Sequence, residues 1–161
     1  MIIILMGVSG SGKTTIGRLL AQDLGWPFCD GDDFHPQANV DKMRQGTPLT
    51  DDDRDSWLTA LRQQLDTLSD HRQSAVLACS ALKQAYRERL GGDQPEVCFI
   101  YLKGDSALIR QRLQKRQGHF MKADLLASQF DTLEEPEGVP ALDIAQAPEA
   151  IVEGIKRALG L

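Results

Sequence analysis

The sequence Gly7-Val8-Ser9-Gly10-Ser11-Gly12-Lys13-Thr14 directly follows the apolar run formed by residues 2–6. It matches the pattern G-x-x-x-x-G-K-[ST], that of a phosphate-binding loop, at every fixed position. Glycines let the backbone turn its N–H groups toward one point, and the N-terminus of the following helix adds its dipole to this anion site. The stretch therefore predicts a strand, a polyphosphate-binding loop and a helix in immediate succession.

The residues after the loop support this interpretation. Ile16, Leu19, Leu20 and Leu24 have helical spacing, and Gly25 is a suitable helix end. The alternative, a glycine-rich turn that binds no ligand, does not explain why a strand and a helix flank the motif. Nucleotide binding is therefore expected.

In this loop Lys13 would reach the β- and γ-phosphates of a nucleoside triphosphate such as ATP, and the Thr14 hydroxyl would hold the Mg²⁺ that bridges them. The candidate nucleotide-binding residues of the loop are Gly7, Ser9, Gly10, Ser11, Gly12, Lys13, Thr14 and Thr15.

Strands alternate with helices along the chain, which predicts an α/β fold with a parallel sheet covered on both faces. The strand candidates are residues 2–6, 27–29, 75–79, 97–102 and 141–144. Helices are predicted at 51–68, with a capping box between Thr50 and Asp53, after Ser80, at 106–117 after Asp105, and from Pro148 onward. Segments 31–49 and 118–140 are the least regular. Since ligands of such sheets bind beyond the carboxyl ends of the strands, the chemistry is expected in these loops.

Composition narrows the class of protein. A chain of 161 residues suits one domain spanning residues 1–161, and a net charge of -5 argues against binding to nucleic acid or a membrane surface. Cys29, Cys79 and Cys98 are odd in number and lack C-x-x-C spacing, so buried free thiols are expected, without a zinc site. The N-terminal apolar run is too short for a signal peptide, and no stretch has membrane-spanning length. We expect a cytoplasmic protein.

Acidic residues follow the second predicted strand. Asp30 would orient a water molecule on Mg²⁺, and Asp32 would accept a proton or hydrogen bond from the attacking substrate hydroxyl. The alternative is an acidic turn, since Asp and Gly are common turn residues. His35 precedes a proline and is either a substrate contact or a residue that makes a turn hydrogen bond.

Two groups of polar and basic residues are further candidates. Ser80, Lys83 and Arg87 have the spacing of one helical face beyond the third strand, which suits an anionic or polyhydroxylated substrate. Arg112 and Arg116 share another face, and Arg116 lies beside Gly118, where a lid of about residues 116–137 could begin and stabilise the transferred phosphoryl group. For both groups the alternative is an ordinary charged helix surface.

Taken together, these segments resemble the gluconate kinase family of small phosphate-loop kinases. The matching stretches are GVSGSGKTTIG (7–17), DGDDFHP (30–36), NVDKMRQGTPLTDDDRDSWL (39–58), ACSALKQAYRERL (78–90) and RQGHFMKADLLASQFDTLEEP (116–136). The resemblance implies transfer of phosphate from ATP, with Mg²⁺, to D-gluconate. It also implies a three-layer fold similar to nucleoside monophosphate kinases and shikimate kinase, with strand order 2-3-1-4-5 and a lid, and a homodimer.

By the same resemblance, Gly10, Gly12, Lys13 and Thr14 hold ATP and Mg²⁺, and Asp32 is the partner of the substrate hydroxyl. The residues that it places on gluconate are Arg54, Lys83 and Arg87, to which we add His35 and Ser80 as candidate substrate contacts. Arg116 is the leading lid residue, and Arg112 is expected near the adenine or the phosphates. The chain departs from the family pattern at Ser56 and at Gly91, where proline and arginine are common.

Three other interpretations of the sequence remain open. Shikimate kinases have a similar D-x-D after the second strand, but they carry a glycine triplet where this chain has Cys79-Ser80-Ala81-Leu82-Lys83. A nucleotide or adenylylsulfate kinase is a more distant possibility. A non-catalytic nucleotide-binding switch is the alternative from another class, although the N-K-x-D motif that reads guanine is absent from the sequence.

Overall fold

The computed structural model of the protein describes residues 1–115 and 123–161. The strands are β1 (Ile2–Met6), β2 (Phe28–Asp30), β3 (Ala75–Ala78), β4 (Val97–Lys103) and β5 (Ala141–Asp143). They form a five-stranded sheet in the order β2-β3-β1-β4-β5, and every pairing is parallel. The predicted sheet and its strand order are therefore confirmed.

Helices connect these strands. They are α1 (Lys13–Leu24), α2 (Gln37–Arg44), α3 (Asp51–Asp70), α4 (Gln84–Arg89), α5 (Ser106–Lys115), α6 (Ala123–Thr132) and α7 (Pro148–Leu159), with a 3₁₀ turn at Gly31–Phe34. Within the described parts of the chain, no helix combines the length and the apolar character needed to cross a membrane.

The sheet has a separate hydrophobic core on each face. On one face α3 packs through a buried stripe that includes Trp57, Leu61 and Leu65. On the other face α1 and α7 pack through residues such as Leu20 and Ile155. Helices thus cover both faces, and the predicted three-layer arrangement is confirmed.

Strand β1 lies at the centre of the sheet, and all its residues are buried. Its Leu5 pairs with Ala78 of β3 and with Ile100 of β4. A continuous apolar run is what a central parallel strand requires, because both of its faces are covered. Since all strands run in the same direction, their carboxyl ends meet at one edge, where the phosphate-binding loop leaves β1.

Several predicted helix boundaries are confirmed by their hydrogen bonds. The Thr50 hydroxyl accepts from the backbone N–H of Asp53, while the Asp53 carboxylate accepts from the N–H of Thr50, which completes the capping box of α3. Asp105 accepts from the N–H of Leu108 at the start of α5. Pro148 is the first residue of α7. The side-chain caps of α3 and α5 satisfy N–H groups that a helix itself leaves unpaired, and Pro148 lacks the N–H group that would be unpaired at the first position of α7.

The two segments predicted to be irregular contain regular structure. Segment 31–49 includes the 3₁₀ turn and α2, and segment 118–140 includes α6. Helix α2 is short and polar, and its buried residue is Asn39, so it lacks the apolar stripe that periodicity detects. Its position is therefore set by hydrogen bonds to the rest of the protein.

Ser80 does not cap a helix, contrary to the prediction. Helix α4 begins at Gln84, and the residue before it, Lys83, has extended backbone angles. Between Ser80 and Lys83 lie Ala81, which has a φ of 42°, and Leu82, and both residues are buried. Because the chain turns into the core before the helix starts, Ser80, Lys83 and Arg87 do not lie on one helical face.

All three cysteines are free thiols, as predicted. The expected burial holds for Cys79 but not for Cys29 and Cys98, which are partly exposed. For Cys29 the sheet explains the exposure, since this residue belongs to the edge strand β2, which has a neighbour on one side only.

Candidate active site

The phosphate-binding loop has the backbone that its glycines predict. Gly7, Gly10 and Gly12 have φ angles of 149°, 80° and 95°, which other residues rarely adopt. At Gly7 an added Cβ would lie 2.9 Å from the carbonyl oxygen of Leu102 and from Ser11 Oγ. Gly12 caps α1 without a side-chain hydrogen bond, so the N-terminus of this helix is open to an anion.

Lys13 folds back over this loop. Its Nζ donates to the carbonyl oxygens of Gly7 and Val8, both at 2.9 Å. Ser11 is buried, and its N–H donates to the Val8 carbonyl, which stabilises the turn of the loop. Thr15 is exposed. The ammonium group therefore lies across the loop, where the terminal phosphates of a nucleotide would contact it.

Thr14 and Asp30 place two side-chain oxygen atoms that could bind a metal ion beside the loop. Thr14 Oγ1 donates to Asp30 Oδ2 at 2.8 Å, and Asp30 Oδ1 accepts from the N–H of Asp32 at 3.1 Å. Such a pair fits Mg²⁺, which takes one or two protein oxygens and completes its coordination with phosphate and water. Within residues 1–115 and 123–161 there is no cluster of three His, Cys, Asp or Glu residues that could hold a metal ion on its own.

A cleft lies next to the loop, between the 3₁₀ turn, α2, the start of α3 and α6. Six of the predicted site residues line it, namely Ser9, Lys13, Asp32, His35, Arg54 and Ser80. The rest of its lining is Val40, Met43, Pro48, Leu49, Trp57, Leu82, Leu125, Ser128 and Gln129. The structure thus brings an acid, two cations and a histidine to one cavity that shares a wall with the phosphate-binding loop.

Arg54 is held in this cleft by neutral partners. Its Nη1 donates to the carbonyl oxygen of Leu49 at 2.7 Å and contacts the Tyr86 hydroxyl at 3.4 Å, and its guanidinium lies 5.7 Å from the centre of the Tyr86 ring. These contacts orient the group without neutralising its charge. A planar guanidinium fixed in this way suits a carboxylate ligand.

His35 stacks on Trp57, with ring centres 4.4 Å apart and planes 10° apart. Trp57 is in turn fixed by its Nε1, which donates to the carbonyl oxygen of Gly31 at 2.7 Å. Burial, and then the charge of Arg54, lower the pKa of His35 to about 4. The imidazole is therefore neutral near pH 7.

We predict that Trp57→Phe destabilises the protein by about 1–3 kcal/mol, because it leaves the Gly31 carbonyl without its donor. Urea denaturation followed by circular dichroism measures this change. Phe keeps an aromatic face against His35. The KM for ATP is expected to stay within about twofold, because the predicted nucleotide-binding residues lie in the loop at 7–15 and at Arg112, and not on α3. Unchanged stability would show that the hydrogen bond to Gly31 contributes nothing.

Two predicted substrate residues lie elsewhere. Lys83 Nζ binds the carboxylate of Asp51 at 2.9 and 3.0 Å. Arg87 is buried, its Nη1 donates to the carbonyl oxygens of Ala81 and Leu82, and burial lowers its pKa. Neither is among the described residues that line the cleft. Arg87 instead supports the turn that brings Ser80 and Leu82 to it.

Arg112 belongs to α5. Arg112 Nη2 donates to the carbonyl oxygen of Ile144 at 2.6 Å, which ties α5 to the segment after β5. The predicted lid residue Arg116 lies in segment 116–122, outside the residues that the structure describes.

Sequence reasoning missed the contribution of α6. Gln129 Oε1 accepts a hydrogen bond of 2.6 Å from the N–H of Ser9 in the phosphate-binding loop, and Leu125 and Ser128 of the same helix line the cleft. All three residues lie within the LLASQF part of a stretch that carries the family resemblance. That stretch was the available signal, although it gave no role to individual residues.

A phosphate-binding loop on a parallel sheet of order 2-3-1-4-5, with a cleft beside the loop, defines a P-loop kinase fold. Comparisons with known proteins agree. A family model described as shikimate kinase matches residues 9–135. The thermoresistant gluconokinase of Escherichia coli K12 is 44% identical over 155 residues, which cover 94% of this chain and 89% of that protein.

Solved structures give the same assignment. A sugar kinase from a Janibacter species is 43% identical with a TM-score of 0.91, over 99% of this chain and 94% of that one. A gluconokinase from Sinorhizobium meliloti is 42% identical with a TM-score of 0.88, over 98% of this chain and 90% of that one. The chain belongs to the gluconokinase family, as the motif stretches indicated.

Proposed function

We propose that this protein is a gluconokinase, which transfers the γ-phosphoryl group of ATP to the primary hydroxyl of D-gluconate and releases 6-phosphogluconate and ADP. The observation that carries the proposal is the cleft in which Asp32 and Arg54 lie together with Lys13 of the phosphate-binding loop. Family membership supports the choice of gluconate.

The chain's own groups account for nucleotide binding. The loop N–H groups and the N-terminus of α1 bind the phosphates, and Lys13 leaves the Gly7 and Val8 carbonyls to contact the β- and γ-phosphates. Thr14 and Asp30 would hold Mg²⁺, which neutralises charge on these phosphates when it is bound. Arg112 is proposed to lie near the adenine or phosphates, and Arg116 on a lid of about residues 116–137 to stabilise the transferred group.

Gluconate presents a carboxylate at one end and the reactive hydroxyl at the other. Arg54 binds the carboxylate, while Asp32 orients or deprotonates the hydroxyl for in-line attack on the γ-phosphorus. His35 and Ser80 contact hydroxyl groups between these ends. Lys83 and Arg87 support the cleft from outside it. Lys83 binds Asp51, and Arg87 donates to the carbonyl oxygens of Ala81 and Leu82. A homodimer, expected from the resemblance, and the cytoplasmic location expected from the sequence belong to the same proposal.

The first test is ADP release from MgATP in a coupled assay with gluconate, other sugar acids, neutral sugars and shikimate, beside a control without acceptor. Shikimate is included because the family model carries that description. Turnover that depends on gluconate supports the proposal. Turnover with another acceptor alone would keep the kinase and replace its substrate, and binding of ATP without transfer to any acceptor would favour a nucleotide-dependent switch.

Arg54→Lys should raise the KM for gluconate by about 10- to 100-fold, because a lysine cannot form the two parallel hydrogen bonds of a guanidinium with a carboxylate. The KM for ATP should hardly change. Steady-state kinetics with each substrate varied in turn measure both. Arg44→Lys, an exposed change on α2, is the matched control, and an equal KM rise in both variants would contradict the role of Arg54.

A further inference from the structure

A buried asparagine lies beside the cleft histidine. Asn39 of α2 is 3% exposed, and its Nδ2 donates to the backbone carbonyl oxygen of Asp53 at 2.7 Å. The same nitrogen lies 3.3 Å from Nδ1 of His35. Because a carbonyl oxygen only accepts hydrogen bonds, the side-chain amide must present its NH₂ group on this side. The reverse orientation would bring two oxygens together, so the Asp53 carbonyl fixes the orientation of Asn39.

That orientation decides where the imidazole carries its proton. One N–H of the Asn39 amide is directed to Asp53, and the other is available to His35 Nδ1. Nδ1 therefore accepts a hydrogen bond and carries no proton, which places the ring proton on Nε2. A doubly protonated ring would set one N–H group against another.

We propose that Asn39 is a positioning residue that holds His35 in the neutral tautomer with its proton on Nε2. His35 then offers the cleft a hydrogen-bond donor and not a base. The stack on Trp57 fixes the plane of the ring, so the direction of this donor is set by two contacts. The occupant that it would meet, a hydroxyl or carboxylate oxygen of a sugar acid, rests on the proposed function, whereas the tautomer does not.

The charges around the ring agree with a neutral imidazole. Arg54 of α3 and Lys13 of α1 line the cleft with His35, as does one acid, Asp32 of the 3₁₀ turn. The carboxylate of Asp53 is turned to Lys42, with which it forms an ion pair at 2.7 Å. Burial, and then the charge of Arg54, lower the pKa of His35.

This assignment gives Asp32 and His35 different roles in the cleft. Asp32 and His35 are the two groups of the described lining that could accept a proton from a hydroxyl near neutral pH. Since Nδ1 of His35 is occupied and Nε2 is protonated, His35 cannot take that proton. Asp32 is left as the acceptor, and His35 favours a substrate that has an oxygen where Nε2–H meets it.

The direct test is long-range ¹H–¹⁵N NMR of the ¹⁵N-histidine-labelled protein without ligands. The chain has three histidines, and the loss of signals in His35→Gln assigns those of His35. We expect an unprotonated Nδ1 and a protonated Nε2 from about pH 5 to pH 8. A proton on Nδ1, or titration of His35 near its ordinary pKa, would overturn the proposal. This measurement needs neither a substrate nor a variant of Asn39.

Asn39→Asp tests the cause. A carboxylate at this position accepts a hydrogen bond from Nδ1–H, so we expect the tautomer to reverse or the ring to become protonated, with a raised pKa. Where the ring is neutral with its proton on Nδ1, Nε2 no longer donates to the substrate and the KM for gluconate should rise about tenfold; protonation of the ring at lower pH restores the donor, so the KM should depend on pH. Ala38→Asp adds the same charge at the exposed neighbouring position of α2 and should change neither property.

The outcomes separate this proposal from the proposed function. An unchanged tautomer in folded Asn39→Asp would overturn the role of Asn39, and if that variant does not fold, the spectrum of the unaltered protein decides. The expected tautomer in a protein that does not phosphorylate gluconate would support the role of Asn39 and overturn the substrate assignment.

Discussion

Lys13→Ala is expected to lower kcat by on the order of 100- to 1000-fold, because it removes the positive charge that contacts the phosphoryl group as negative charge develops on it. The side chain in the structure spans the Gly7 and Val8 carbonyls, so it lies at the loop that we propose binds the phosphates. Initial rates with saturating gluconate and ATP measure the loss.

The variant must keep its fold for this result to bear on catalysis. Lys13 is only partly buried, and it donates hydrogen bonds to the loop carbonyls of Gly7 and Val8, which water can replace once the side chain is gone. We therefore expect a small change in thermal unfolding. Lys103→Ala, which removes an exposed lysine paired with Glu135, is the matched control and should retain activity. Turnover of Lys13→Ala within a few-fold of the unaltered protein would refute the assigned role.

The sequence predicts most reliably those features that depend on interactions or backbone angles of a few neighbouring residues. The apolar run of β1, the glycines of the loop and the Thr50–Asp53 capping box each act over a few residues, and each is confirmed. The strand order is not local in this sense. It was implied by the family resemblance and is confirmed by the sheet.

The features that were missed depend on contacts between distant parts of the chain. Helical spacing placed Ser80, Lys83 and Arg87 on one face, but burial of Ala81 delays the start of α4 and directs Arg87 to backbone carbonyls. Periodicity contains no information about such a turn, because the φ of 42° at Ala81 is imposed by packing.

The site shows the same limit. The histidine of the cleft is neutral because Trp57 and Arg54, from another helix, bury it and repel its proton. Gln129 reaches the loop at Ser9 from a segment that looked irregular. Residue types and spacing predicted five of the residues that line the cleft, and the family resemblance added Arg54. The protonation and partners of these residues required the fold.

Asp32→Asn is expected to lower kcat by on the order of 100- to 10,000-fold while ATP still binds, because an amide neither accepts the proton of the substrate hydroxyl nor orients it as a carboxylate does. Asp32 lies in the cleft beyond β2, and its backbone N–H, which the substitution leaves intact, donates to Asp30. The pair between Thr14 and Asp30 should therefore persist, and binding of MgATP, measured by calorimetry, should change by less than about threefold.

Asp33→Asn is the matched control, since Asp33 is exposed in the same 3₁₀ turn and does not line the described cleft. Both substitutions remove one negative charge within two neighbouring positions, so a general electrostatic effect would alter both variants alike. A loss confined to Asp32→Asn assigns proton acceptance or orientation to this carboxylate. Unchanged kcat in Asp32→Asn would exclude it from both roles. Because His35 holds its proton on Nε2, the acceptor would then have to come from outside the described lining of the cleft.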